Sequence, residues 1–312
     1  MATEFDVVAP ITVSTMKHKI STSTGVSRLI AIDQLDDEIY RSAHSDSSAK
    51  AITQMSNGMV FAQALEAATM SAGEQKSPVS FHGIHVHSAI NRQPINFYVI
   101  SLQNQPNCCS RQVEGRQNGR IVFTGIASFV QSTVNKVSST RSTKISTLPR
   151  PNRFATLDQV YAQRLAQLDK QGLRLPVEIE NKWRSTAEAW NVEGVKVRPI
   201  EPQNWFGIQS SSKPMCCWVR FAASDSAVAS QSLYAFLLGL SSPISQSASA
   251  TSQTVWFHQN HSRASDWFLC EIKATGSSSS RPFINCSLWT ADGELIATAA
   301  RESTVMQWKS KF

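Results

Sequence analysis

The chain has 312 residues, with 30 Lys and Arg against 23 Asp and Glu, a net charge of +7 and a pI near 9.2. Its length and its 41% of hydrophobic residues allow two ordinary domains or one large one, and 8 Trp with 14 Phe exclude a disordered chain. The positive charge suits an anionic partner, but Lys and Arg are scattered instead of gathered into runs, which speaks against nucleic acid.

The N-terminus, MATEFDVVAPITV, has neither the basic start nor the apolar core of a secretion signal. Residues 1–22 read as an extension. The first patterned element is NGMVFAQALEAATMSAG, 57–73, with Asn57 in the N-cap place and Val60, Phe61, Ala64, Leu65 and Ala68 at helical spacing. SPVSFHGIHVHS, INFYVISLQ and CCSRQVEGR follow as strands rich in aromatic and β-branched residues. QNGRIVFTGIASF, 117–129, then places Asn-Gly between two strands, a strong hairpin signal.

Residues 133–153 are polar, Ser/Thr-rich and marked by two prolines, as a linker is, and ATLDQVYAQRLAQLDKQG reads as one exposed linker helix. SQSLYAFLLGLSS, 230–242, is apolar nearly all round, which predicts a helix buried on most sides. Its longest apolar run is too short to span a bilayer. SQTVWFHQNH, DWFLCEIKA and PFINCSLWT are again strands, and ADGELIATAARES, 291–303, closes the series with an Asp-Gly turn. The second half thus repeats the first: a helix, then antiparallel strands ending on a tight hairpin.

Six cysteines occur without a C-x-x-C, which points to neither a zinc knuckle nor a disulfide scaffold. No G-x-G-x-x-G, P-loop, G-x-S-x-G or H-E-x-x-H is present, so nicotinamide, nucleoside-triphosphate and serine-hydrolase readings lack support. The C-terminal Ser310-Lys311-Phe312 is similar to the Ser-Lys-Leu peroxisomal address, so the expected compartment is the peroxisome or the cytoplasm.

Taken in order, these segments resemble the acyl-CoA thioesterase II family, whose members carry two hotdog folds in one chain. GMVFAQALEAA matches its first hotdog helix, QNGRIVFTGIASF its Asn-Gly hairpin and VRPIE, 197–201, the opening of its second hotdog. YAFLLG, VWFH, DWFLCE and ADGELIATAARESTVM continue the match in order, so it covers the chain from about residue 25 onward. The resemblance implies an α+β double hotdog, with two antiparallel sheets, each wrapped round a long helix, joined edge to edge. The hotdogs would span 23–132 and 196–312, with 133–195 a linker containing a helix. It also implies hydrolysis of acyl-CoA by a water that an Asp, a Thr and a Gln activate, with no cofactor and no covalent intermediate. The phosphates of coenzyme A would suit the positive charge, and pairing of several copies is left open.

Carried over residue by residue, the Asp falls on Pro243, the Thr on Ala250 with Thr251 one place along, and the Gln on Arg301. Proline and alanine do not polarise water, and a guanidinium is a permanent cation without a lone pair. A one-residue slip would turn the Thr251 hydroxyl to the other face of its strand. Where the family commonly has Arg-Pro-Gly after its Phe-His strand, this chain reads His87-Ser88-Ala89.

Other side chains compete for the site. His85 and His87 form H-x-H, which on one strand puts both imidazoles on one face as an acid–base pair or two metal ligands; the plainer reading is a solvated or core pair. No third ligand has diagnostic spacing, so no metal is expected. Thr251 and Ser252 are replacement hydroxyls. Asn57 and Gly58 would let a helix N-terminus polarise a carbonyl, or would simply cap and pack. Glu66 is either a buried proton donor or a solvated helix residue. Trp256 joins these as a substrate-binding candidate. Arg301 is a clamp for a carboxylate or enolate, or else an exposed edge residue paired with Glu302.

Three functions remain in play. The first is a thioesterase-like enzyme of diverged mechanism acting on acyl-CoA or a related thioester. The second is a non-hydrolytic dehydratase, isomerase or cyclase of a polyketide- or terpenoid-type metabolite, and the third a ligand-binding homologue without chemistry.

Overall fold

The structure, a computed structural model, describes residues 26–42, 55–90, 93–132, 145, 147–190, 194–206, 214–221, 230–240, 248–259, 266–275 and 283–305. Residues 243 and 310–312, and with them Pro243 and the Ser-Lys-Phe tail, lie outside the described residues. Buried and exposed side chains alternate along the strands, which gives the sheet one face toward its helices and one away from them. The first-half strands are β1 Ile32–Asp36, β2 Ile39–Ser42, β3 Lys76–His85, β4 Asn96–Asn104, β5 Cys108–Gln117 and β6 Arg120–Gln131. Those of the second half are β7 Val195–Pro199, β8 Met215–Phe221, β9 Ala248–Phe257, β10 Phe268–Thr275, β11 Phe283–Thr290 and β12 Leu295–Val305.

All twelve form one antiparallel sheet in the order β1-β2-β4-β5-β6-β3-β9-β12-β11-β10-β8-β7. Read outward from the β3–β9 pair, the two halves have the same order, so that pair is a pseudo-twofold seam. This is the double hotdog expected from the sequence.

Six helices accompany the sheet among the described residues: α1 Val26–Ile30, α2 Asn57–Ala72, α3 Leu157–Lys170, α4 Val177–Trp190, α5 Pro202–Trp205 and α6 Gln231–Gly239. α2 packs on β3 to β6, and α6 on β9, β11 and β12. Ser56, not Asn57, is the α2 N-cap: its Oγ accepts from the Met59 N–H at 3.2 Å, and Asn57 is the first helical residue. Apolar on every side, α6 buries all its residues from Ser232 to Gly239.

The two helices meet antiparallel. Gly58 lies against Gly239, and two turns on Glu66 hydrogen-bonds Ser232. A Cβ on Gly58 would stand 2.7 Å from the Gly239 carbonyl carbon, and one on Gly239 would stand 2.5 Å from the Gly58 Cα. Only glycine at both places lets the backbones touch.

The two hairpins differ in detail. Asn118 and Gly119 both have positive φ, 51° and 77°, the two-residue turn that matches strand twist. In the second hairpin only Gly293 does, at 86°, and the longer loop closes by the Thr290 N–H to Glu294 O at 2.8 Å.

Among its described residues the linker holds two helices of 14 residues, α3 and α4, where the sequence pointed to one. α4 was masked by its charged residues, yet its Trp183 is buried and donates Nε1–H to the Phe206 carbonyl at 2.9 Å. Upstream of α3, Ile145, Leu148 and Phe154 pack with Trp218, Leu269 and Trp289 of the second half of the sheet. All six cysteines are free thiols. No helix among the described residues is long and apolar enough to cross a membrane.

Candidate active site

At the seam, alternation decides what faces the helices. Gln253, Val255 and Phe257 of β9 are buried inward, as are Ala297, Ala299, Arg301 and Ser303 of β12. Gly83 of β3 pairs with Gln253, and Gln253 pairs with Arg301, so an amide and a guanidinium stand side by side in the middle of the sheet. A Cβ on Gly83 would run into the Phe123 ring. Phe61, Phe81 and Phe123 pack there with centroids 4.5 to 5.9 Å apart. The polar pair therefore borders an aromatic wall.

Arg301 is 4% exposed and donates Nη1–H to the Leu240 carbonyl at 2.6 Å, at the negative end of α6. Its Nε has no partner among the described residues. Gln253 is 1% exposed, and neither its Oε1 nor its Nε2 has a partner there. A Cβ on Gly239 would lie 3.1 Å from Oε1, 3.2 Å from Nε2 and 2.5 Å from the Gly58 Cα. The Gln253 amide, the end of α6 and the start of α2 thus converge on one point.

Nearby thiols offer no nucleophile. Burial pushes Cys286 up to about 12, and Cys270 is held well above the usual thiol range by its hydrogen bond with Cys217 and then by burial. Arg301 opposes both shifts without overcoming them, so both remain protonated.

The sequence candidates divide by place. His85 closes β3 with its ring 5.2 Å from the Phe123 centroid; burial lowers its pKa to about 4, and its Nε2 has no partner among the described residues. His87 does not share its face, because the strand ends at His85. The Val86 and His87 N–H groups both turn to the Val122 carbonyl, and His87 is exposed with Nδ1 2.8 Å from the Ile121 carbonyl. An acid–base pair or two-ligand metal site of His85 and His87 is therefore not formed. Among the described residues no three His, Cys, Asp or Glu groups cluster to hold a metal.

Thr251 is the extra residue of a β-bulge, since Ser252 pairs with Glu302 and Ala250 with Ser303. Its hydroxyl donates to the Glu302 carbonyl at 3.3 Å. Ser252 shares a rung with Ile84 and Glu302, one step out of phase with inward Gln253 and Arg301. Trp256 is also on the outer face, 41% exposed and edge-on to His82 at 5.9 Å, away from the site. Arg301 is not an exposed edge residue: it is buried on the helix side of the sheet, one position out of phase with Glu302.

Asn57 and Gly58 do lie at the point of convergence, but the room Gly58 provides is taken by Gly239. Glu66 is farther along α2, its carboxyl pushed above the usual range by burial, with the Ser232 hydrogen bond opposing.

Comparison with known proteins agrees with this architecture. The acyl-CoA thioesterase C-terminal domain family matches residues 167–305. Human acyl-coenzyme A thioesterase 8 is 25% identical over 294 residues, covering 90% of this chain and 88% of its own length. Acyl-CoA thioesterase 2 of Haemophilus influenzae is 24% identical over 291 residues, covering 89% of this chain and 95% of its own. The chain is similar to acyl-CoA thioesterases along most of its length. Among solved structures, acyl-CoA thioesterase II TesB2 from Mycobacterium marinum superposes with a TM-score of 0.64 at 17% identity, covering 92% of this chain and 99% of its own. A hot dog fold protein from Alicyclobacillus acidocaldarius gives 0.63 at 14%, covering 90% and 97%. These two likenesses are of fold.

Sequence reasoning passed over Gln253 and Ser303. Gln253 stands across the ladder from Arg301, and the buried Ser303 across from Ala250. An amide and a hydroxyl are thus present on the partner strand at the two rungs where the family pattern implies they are lacking. The signal was strand parity: with VWFH as a strand, Gln253 shares a face with apolar Val255 and Phe257.

Proposed function

We propose that the chain is an acyl-thioester hydrolase acting on acyl-CoA or a related thioester, in fatty-acyl or specialised metabolism, without the family's Asp-Thr-Gln trio. Its two hotdogs are assigned to 23–132 and 196–312, flanking the linker. The observation that carries the reading is the buried polar pair Gln253–Arg301 at the seam, where α2 begins and α6 ends. The names of the human and Haemophilus relatives support acyl-CoA as the substrate class.

The positive end of α2 and the Arg301 Nε–H favour oxygen that gains negative charge during attack. In the reaction the oxygen of water bonds to the thioester carbonyl carbon, the C–S bond breaks, and a proton from the water passes to the departing thiolate. With its pKa near 4, His85 is neutral at pH 7 and serves as a hydrogen-bonding group instead of a proton store. The non-hydrolytic alternative drew on His85 and His87 acting together, and the outward His87 leaves it without that pair.

The test is release of free thiol from short- to long-chain acyl-CoAs. Turnover above the uncatalysed rate on at least one chain length is expected, and none across the panel rejects the reading. Peroxisomal delivery by Ser310-Lys311-Phe312 belongs to the same proposal. Deleting those three residues should return a fluorescent fusion to the cytoplasm, and unchanged import would contradict it.

A further inference from the structure

Three side-chain amides of glutamine are fully buried among the described residues, and only one lacks partners at both ends. Gln63 donates Nε2–H to the Leu29 carbonyl at 2.8 Å. Gln117 accepts from the Ile90 N–H at 2.8 Å and donates to the Ile90 and Gln93 carbonyls at 2.9 and 2.8 Å. Gln253 makes none of these bonds. Each orphaned end costs about 1–3 kcal/mol, and a leucine or methionine would fill the same inward place beside Val255 without that cost. A buried carboxamide unpaired at both ends calls for an explanation, and a partner from outside the fold supplies one.

The surroundings define that partner. Beside the amide, the Arg301 Nε–H is a donor without an acceptor, and its Nη1 already holds the Leu240 carbonyl. The start of α2 adds the positive end of a 16-residue helix. No carboxylate pairs with Arg301 among the described residues. The place therefore calls for an acceptor oxygen, and the Gln253 Oε1 calls for one donor hydrogen. With no side chain at 239, the α6 backbone comes close to the amide.

We propose that the Gln253 carboxamide, flanked by the Arg301 Nε–H, receives the carbonyl oxygen of the acyl thioester through Nε2–H and holds a water through Oε1. This rests on the acyl-thioester reading above and names the group that recognises the scissile bond. Gln253 is then a catalytic residue, because it touches the reacting carbonyl.

The test compares wild type with Gln253→Leu and Gln253→Met in two assays. The first is turnover of an acyl-CoA. A fall in kcat of ~100-fold is expected, with KM raised by up to ~10-fold as the bond to the bound carbonyl is lost. The thermal midpoint should stay the same or rise, since an unsatisfied amide has gone. The second assay is binding of a thioester against an S-alkyl-CoA thioether of equal length, which lacks the carbonyl. Wild type should prefer the thioester by ~10-fold when the two are compared under conditions of slow turnover, and both variants should lose that preference.

Retention of kcat and of the preference in folded variants overturns the proposal. If wild type hydrolyses nothing yet keeps a Gln253-dependent preference for the thioester, the hydrolase reading fails and the carbonyl site stands. If wild type binds neither probe, both fail.

Discussion

Arg111 and Arg301 are both buried, each beside the C-terminal end of the long helix in its own half, and the protein treats them oppositely. Arg111 donates Nε–H to the Ser71 hydroxyl, Nη1–H to Ser101 and to the Gln103 and Ser110 carbonyls, and Nη2–H to the Ser71 carbonyl and Asn104. All its nitrogens are engaged, and the end of α2 is tied to β4 and β5. Among the described residues Arg301 makes one hydrogen bond, to the Leu240 carbonyl, and lies beside an amide that makes none. A cation that satisfies itself within the fold is an anchor, whereas one left with a free donor beside a free amide marks where another molecule completes the set.

The largest expected effect comes from the anchor. Arg111→Met strands the hydroxyls and carbonyls it joins and should cost ~3–5 kcal/mol in urea unfolding. A loss below about 1 kcal/mol would show that those bonds are not needed and would dissolve the contrast. Gly239→Ala forces the two helices apart where they touch and should cost ~2–3 kcal/mol, with Gly58→Ala behaving alike. Unchanged stability in both would mean that the helix ends are looser than the backbone contact requires.

Proton linkage sharpens the picture beside the aromatic wall. His85 is held near pKa 4 when folded and returns to about 6.5 when unfolded, so the unfolded chain binds the extra proton between those values. Its contribution is fully present above pH 6.5 and is lost as pH falls toward 4, by ~2 kcal/mol at pH 5. Urea unfolding at pH 7 and pH 5 should show a loss that His85→Gln reduces. An equal loss in the variant would mean that His85 is solvated. The smallest stability effect is expected at the other arginine: Arg301→Met should cost about 1 kcal/mol, because only one hydrogen bond is given up.

Where local pattern sufficed, the fold was legible in the sequence. The helical spacing of Val60, Phe61, Ala64, Leu65 and Ala68, the apolar α6 and the Asn118-Gly119 turn each follow from short-range chemistry. The α2 cap shifted by one residue because Ser56 and Asn57 are both good caps and only geometry chooses between them. α4 was hidden by its charged surface. The strand of His85 and His87 stops at His85 because the next two N–H groups turn to one carbonyl of a distant residue, Val122. The Gln253–Arg301 pair, and Gly83 across from it, are joined by sheet register between segments far apart in sequence, so no local window contained them.

The contrast between the two arginines is tested most directly by measuring stability and turnover together in Arg111→Met and Arg301→Met. Each folded variant is assayed for thiol release from the acyl-CoA that wild type hydrolyses best. The expected result is a crossed pattern: Arg111→Met loses stability but keeps its turnover per folded molecule, while Arg301→Met keeps most of its stability and loses turnover by ~10-fold or more. Full turnover in Arg301→Met, or equal loss of turnover in both, would contradict the assignment of the seam as the place where chemistry occurs.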